Sequence, residues 1–183
     1  MEKDPDSGII RIVIIGPEST GKTELAKDLA SFYHTCWVPE YAREYIEGLN
    51  RPYNLKDVLH IAEEQVIRDQ PKPGTANRFI FIDTDLIITK VWLDLVYGSR
   101  PDWIDTYLKT IRTGLYLLCK PDIPWVPDPV RENGGPMRDL LFERYRSEIE
   151  SIGCEWRLVE GLGSDRLSLA IQHIQAGFPV TSS

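Results

Sequence analysis

Ile9-Ile10-Arg11-Ile12-Val13-Ile14-Ile15-Gly16-Pro17-Glu18-Ser19-Thr20-Gly21-Lys22-Thr23 is the stretch that decides the fold. Residues 9–15 are β-branched apart from Arg11 and almost wholly apolar, as expected of a strand buried on both faces of a parallel sheet. Gly16 to Thr23 then fit the pattern G-x-x-x-x-G-K-[ST]. Residues 24–34 follow with Leu25, Leu29 and Phe32 at helical spacing, so the motif lies between a strand and a helix, where its mechanism needs it. Its glycines let the backbone turn tightly and aim N–H groups at phosphate oxygens, and the helix N-terminus adds its own free N–H groups and dipole. Lys22 places a positive charge on the β- and γ-phosphates, and Thr23 supplies a hydroxyl to Mg²⁺. Gly16, Pro17, Glu18, Ser19, Thr20, Gly21, Lys22 and Thr23 are therefore the expected nucleotide-binding residues, with ATP and Mg²⁺ as cofactors.

Outward from this loop the chain alternates short apolar runs with helical stretches. Strands are expected at 35–38, 79–82 (closing on Asp83), 115–119 and 156–159. Helices are expected at 41–49, 54–69, 86–96, 101–111, 139–152 and 165–176. The helix from 54 has a cap in Asn54, Asp57 three residues on, and an apolar stripe of Leu55, Val58, Leu59, Ala62, Val66 and Ile67. Five strands alternating with helices predict an α/β domain with a five-stranded parallel sheet flanked by helices. Its span is 9–176, between an N-terminal tail (1–8) and a C-terminal tail (177–183). Residues 121–136 are rich in Pro and Gly and carry charges, as expected of a lid segment.

The formal net charge of −7 argues against a nucleic-acid partner. Three cysteines without CxxC spacing suggest neither a disulfide framework nor a zinc site, and fit a reducing cytoplasm. The polar, acidic start is unlike a signal peptide, and the apolar run 9–15 is far too short to span a membrane. His34, His60 and His173 have no metal-like spacing and receive no catalytic role.

In a parallel α/β sheet the carboxyl ends of the strands open onto the ligand crevice. Glu40 follows the second strand and Asp83 closes the third. A hydroxyl acceptor needs a carboxylate to orient it and take its proton, and either residue could serve while the other holds Mg²⁺ as in a Walker B strand. Each could instead cap the following helix, and Asp85 is evenly balanced between capping and the site. Arg131 lies in the lid segment and Arg138 just beyond it, where a cation closing over the transferring phosphate is expected. Arg43 could contact substrate or pair with Glu40 or Glu47. Tyr41 and Trp125 are the aromatic residues placed to stack on a flat substrate. The loop 161–164 is expected against the donor base.

Gly16 to Thr23, Val38-Pro39-Glu40-Tyr41-Ala42-Arg43-Glu44, Phe81-Ile82-Asp83-Thr84-Asp85, Trp125-Val126-Pro127-Asp128 and Val130-Arg131 together resemble the ribosylnicotinamide kinase domain of NadR-type proteins, from about residue 9 to 174. The resemblance implies a P-loop kinase that transfers the ATP γ-phosphate to the 5′-hydroxyl of nicotinamide riboside. It also implies Lys22, Glu40, Asp83 and Arg131 in catalysis, Thr23 and Asp83 at the metal, and Glu40, Tyr41, Arg43, Asp85, Trp125 and Asp128 around a small nucleoside-like substrate. Deoxynucleoside kinases carry a base at the place of Glu40. Only eight residues precede the first strand, so neither adenylyl transfer nor repression is expected of this chain. Two alternatives stay open: another nucleoside-like or vitamin acceptor such as thiamine, and an ATPase switch acting on a protein partner. A ring ATPase of the AAA type would normally need a further helical domain.

Overall fold

The computed structural model describes residues 8–70, 76–125 and 134–179. The described residues form five strands and seven helices in the order β1 (Ile10–Ile15), α1 (Lys22–Phe32), β2 (Trp37–Val38), α2 (Tyr41–Glu47), α3 (Leu55–Arg68), β3 (Phe79–Asp83), α4 (Leu86–Tyr97), α5 (Asp102–Thr110), β4 (Leu115–Cys119), α6 (Pro136–Ser151), β5 (Trp156–Val159) and α7 (Ser164–Gly177). The strands make one parallel sheet in the order β2-β3-β1-β4-β5. The expected five-stranded α/β architecture is borne out.

Alternation along the strands divides the core in two. Val13 and Ile15, with Ile80, Ile82, Tyr116 and Leu118, face α3, α4, α5 and α6. Ile12 and Ile14, with Phe79, Phe81, Leu115 and Leu117, face α1 and α7. Both faces of β1 are covered, which is why its sequence shows no polar alternation.

The sheet register positions the chemistry. Ile14 pairs with Asp83 and Ile15 with Leu118, so the loop leaving β1 emerges between the carboxyl ends of β3 and β4. The chain turns to β3 on one side and β4 on the other, the arrangement that opens a crevice at a switch point.

Three local expectations need correction. The second strand is Trp37–Val38 only; the backbone N–H of Thr35 still bonds Ala30 O at the end of α1, at 2.9 Å, so it is not part of the sheet ladder. The sixth helix starts at Pro136, three residues before the expected start, since proline at N1 gives up no helical hydrogen bond. On α3 the capping box of Asn54 and Asp57 is present, but Leu55 and Ile67 are exposed at 37% and 65%. The buried face is instead Asp57, Val58, Ile61, Ala62 and Gln65. Asp57 buries its carboxylate by taking both Arg51 amines, at 2.7 and 2.8 Å, and the Tyr45 hydroxyl at 3.0 Å.

The cysteines are free. Cys119 is buried behind the loop after β1, and burial pushes its thiol up to about 11. No described helix is long and apolar enough to cross a membrane.

Candidate active site

The loop of residues 16–23 wraps the carboxyl end of β1. A Cβ on Gly16 would sit 2.7 Å from Cys119 O, so only glycine permits this approach of β1's exit to β4. Gly21 caps α1 at φ 73°, a left-handed conformation that favours glycine. Ser19 also takes positive φ, at 55°, a conformation that clusters where backbone amides cradle a ligand. Thr20 Oγ1 and Lys22 Nζ donate to Pro17 O at 2.8 and 2.9 Å. Arg138 donates to Ser19 O at 3.1 Å and Arg166 to Thr20 O at 3.1 Å. Three loop carbonyls are thereby bound to donors, which reduces the negative charge the loop presents to a phosphate.

The two strand-end carboxylates sit beside this loop. Thr23 Oγ1 donates to Asp83 Oδ2 at 2.6 Å. Asp83 is 1% exposed; burial raises its pKa, opposed by the Lys22 charge and the Thr23 hydroxyl. A hydroxyl and a carboxylate in contact at a phosphate loop fit Mg²⁺, which takes few protein ligands and completes its shell with phosphates and water. Glu40 stands at the N-cap position of α2, yet its side chain makes no capping hydrogen bond. It turns into the cavity instead. Burial raises its pKa first, and Asp83 and Glu18 add to this, while Lys22 and Arg43 oppose it.

The cavity in front of the loop measures about 670 Å³, within the range for a small-molecule site. Its polar end carries Glu18, Lys22, Thr23 and Glu40, and its apolar end is walled by Ile46, Tyr53, Val58, Ile61, Ile88 and Trp92. Arg43 lines it while bonding Glu47 at 2.9 Å. Tyr145, on α6, is 4% exposed, and its hydroxyl pKa is raised by burial and by the Glu40 and Glu18 charges.

Other expected site residues lie elsewhere. Tyr41 does not line the cavity. It is 9% exposed, lies under the Arg68 guanidinium at 4.0 Å, and meets His60 Nε2 with its hydroxyl at 3.2 Å. Glu40 is extended (φ −63°, ψ 117°) while Tyr41 opens the helix, and the two side chains leave the chain toward different surroundings. Asp85 caps α4 through Ile87 N at 3.0 Å and accepts the Tyr116 hydroxyl at 2.7 Å. It lies 3.8 Å from the Arg11 guanidinium and is 1% exposed, so the helix cap, not the substrate, accounts for it. Trp125 packs against Gly134, where a Cβ would come within 3.1 Å of the indole, and is outside the cavity lining. Arg138 is 7% exposed and ties Ser19 O to Ile123 O, at 3.1 and 2.9 Å; its guanidinium holds the loop from behind. Arg131 and Asp128 lie outside the described residues.

Asp85→Ala should cost about 3 kcal/mol of folding stability, because it takes the acceptor from the buried Tyr116 hydroxyl, removes one of the two carboxylates beside Arg11 and removes a cap. Denaturant unfolding should show this with unchanged ATP binding; weakened ATP binding in the folded variant would place Asp85 in the site.

The sequence reading missed Arg166. This 4%-exposed guanidinium bonds Gly161 O at 3.0 Å, Thr20 O at 3.1 Å, Val159 O and Lys120 O at 3.3 Å, and the Asp122 carboxylate. It joins the phosphate loop to the ends of β4 and β5 and fixes the loop 161–164 beside them, with Leu162 59% exposed. Its helical position in a charged stretch gave no signal of this.

Residues 11–166 match the model of a family described as an AAA domain. The chain belongs to this AAA-domain family. The matched span includes the phosphate loop, Glu40, Asp83 and Arg166. Over 144 residues the chain is 27% identical to the trifunctional NAD biosynthesis/regulator protein NadR of Salmonella typhimurium and 29% identical to that of Escherichia coli. Each alignment takes in 75% of this chain and 35% of the relative, so the chain spans about a third of the curated relatives it matches. Among solved structures, a NadR protein in complex with NR superposes with a TM-score of 0.83 at 21% identity, covering 98% of this chain and 54% of that one. A deoxyadenosine kinase from M. mycoides superposes with a TM-score of 0.61 at 14% identity, covering 91% and 99%. The expected resemblance to NadR-type proteins is borne out, and the fold is that of P-loop kinases.

Proposed function

We propose that this chain transfers the γ-phosphoryl group of ATP to the 5′-hydroxyl of nicotinamide riboside, giving nicotinamide mononucleotide and ADP. The observation that carries this reading is Glu40: an uncapping carboxylate, raised in pKa, in the same cavity as Lys22 and Thr23. A base in that place suits a hydroxyl acceptor.

In this reading the amides of the phosphate loop and Lys22 hold the β- and γ-phosphates. Thr23 and Asp83 would hold Mg²⁺, which supplies charge neutralisation on the phosphate oxygens. Glu40 orients the acceptor hydroxyl and takes its proton as the new O–P bond forms. The β–γ bridging O–P bond breaks, and ADP leaves with the electron pair. Tyr53 and Trp92, with the aliphatic lining residues, would offer apolar surface to a ring. The similarity to NadR, and a NadR structure in complex with NR, support the choice of acceptor. Free cysteines suit a cytoplasmic setting.

A panel of ribosides and vitamin alcohols, thiamine among them, tested with ATP and Mg²⁺, should give the highest kcat/KM for nicotinamide riboside. A higher value for another acceptor would reassign the substrate. ADP release that no acceptor stimulates would reject the kinase reading in favour of an ATPase.

A further inference from the structure

Glu40 occupies a cap position but does not cap, so another group must serve the start of α2. That group is Gln65, on α3. Gln65 is 4% exposed, and its Oε1 accepts the backbone N–H of Tyr41, the residue after Glu40, at 3.0 Å. Its Nε2 donates to Asp69 Oδ1 at 2.6 Å, with a longer contact of 3.5 Å to Thr84 O, the carbonyl after Asp83. Asp69, 1% exposed, is held in turn by Arg11 of β1 at 2.6 Å. One buried chain, Arg11 to Asp69 to Gln65 to Tyr41 N, thus connects the central strand to the backbone beside Glu40. The same amide reaches the backbone beside Asp83.

The chemistry of this position selects an amide. The Tyr41 N–H needs an acceptor and the Asp69 carboxylate needs a donor. A neutral amide offers both on one side chain; a carboxylate would offer no donor, an ammonium no acceptor, and an apolar chain neither. The first N–H groups of a helix have no partner within the helix, and a seven-residue helix has little else to hold its N-terminus. Leaving a buried donor unpaired costs the full desolvation of that group.

We infer that Gln65 is a positioning residue: it caps α2 from outside, which frees the Glu40 carboxylate to face the phosphate loop, and it sets the backbone beside Glu40 relative to that beside Asp83. The inference rests on the phosphotransfer reading for its catalytic consequence, and on hydrogen bonding alone for the cap. Displacement of a reacting group by about 1 Å can cost around a hundredfold in rate.

The test joins amide hydrogen exchange to steady-state kinetics on the full chain. In the wild-type protein the Tyr41 amide should be strongly protected. Gln65→Met, close in size but without hydrogen bonds, should lose that protection while the amides of the α3 interior keep theirs. Its kcat should fall about ten- to hundredfold with an unchanged KM for ATP. In a Glu40→Gln background, Gln65→Met should cost little further rate, since Gln65 acts through Glu40. An unprotected Tyr41 amide in the wild-type protein overturns the inference, whether or not the variant folds. So does a lost protection with unchanged kcat, or an undiminished rate loss in the Glu40→Gln background. Failure of the wild-type protein to phosphorylate any acceptor would reject the phosphotransfer reading, while the exchange experiment would still decide the cap.

Discussion

Glu40→Gln should leave ATP binding intact and lower kcat by about 10²–10⁴-fold, the usual contribution of a positioned base. The amide keeps the shape of the side chain and loses its basicity. Wild-type kcat should also fall on acidification. Burial raises the Glu40 pKa above 4.5, so that loss should begin at a pH above the ordinary carboxylate range and should vanish in Glu40→Gln. Stability should move the other way. A carboxyl whose folded pKa is raised holds its proton more tightly folded than unfolded, so its charged form weakens the fold above that pKa, and the penalty disappears below the unfolded value. Glu40→Gln should therefore melt at a higher temperature than wild type near neutral pH, with the gap closing as pH falls. Normal transfer by this variant would pass the role of base to Asp83.

Lys22→Ala should lose transfer by about 10²–10³-fold or more, the scale for removing one preorganised charge or donor from a transition state, and should weaken ATP binding as well. Lys22 is close enough to lower the pKa of both Glu40 and Asp83, so its removal should move both carboxyls further up and shift the acid limb of any residual activity to higher pH. The loop itself should persist. Thr20 Oγ1 still bonds Pro17 O, and Arg138 and Arg166 still hold Ser19 O and Thr20 O. Lost transfer with a modestly lower melting temperature near neutral pH, the gap closing as pH falls, is thus the expected pair of results, because two buried carboxylates lose a compensating charge. Unchanged transfer would overturn the assignment of the phosphate loop.

The fold was legible because its central elements are locally unambiguous. β1, β3 and β4 are buried on both faces and therefore read as unbroken apolar runs. The capping box of α3 uses residues whose chemistry admits little else. The α3 face was not legible, because the burial of Asp57 and Gln65 depends on Tyr45 and Tyr41, which lie on another helix, while Ile67 is left in solvent. The same limit divides the site. The phosphate loop is contiguous and carries its own spacing. Glu40, Asp83 and Asp85 look alike as strand-end acids, and only the placement of Arg11 and Tyr116 draws Asp85 away. Tyr41 was attractive by adjacency to Glu40, but the two side chains leave the chain toward different surroundings. Arg166 acts almost wholly on backbone carbonyls, a role that leaves no residue pattern to find.

The central claim is phosphoryl transfer to a small hydroxyl acceptor, and the product mixture tests it most directly. The protein, ATP, Mg²⁺ and nicotinamide riboside should yield nicotinamide mononucleotide and ADP in equal amounts by mass spectrometry, with no matching release of inorganic phosphate. ADP accompanied by an equal amount of inorganic phosphate, and no phosphorylated riboside, would contradict it.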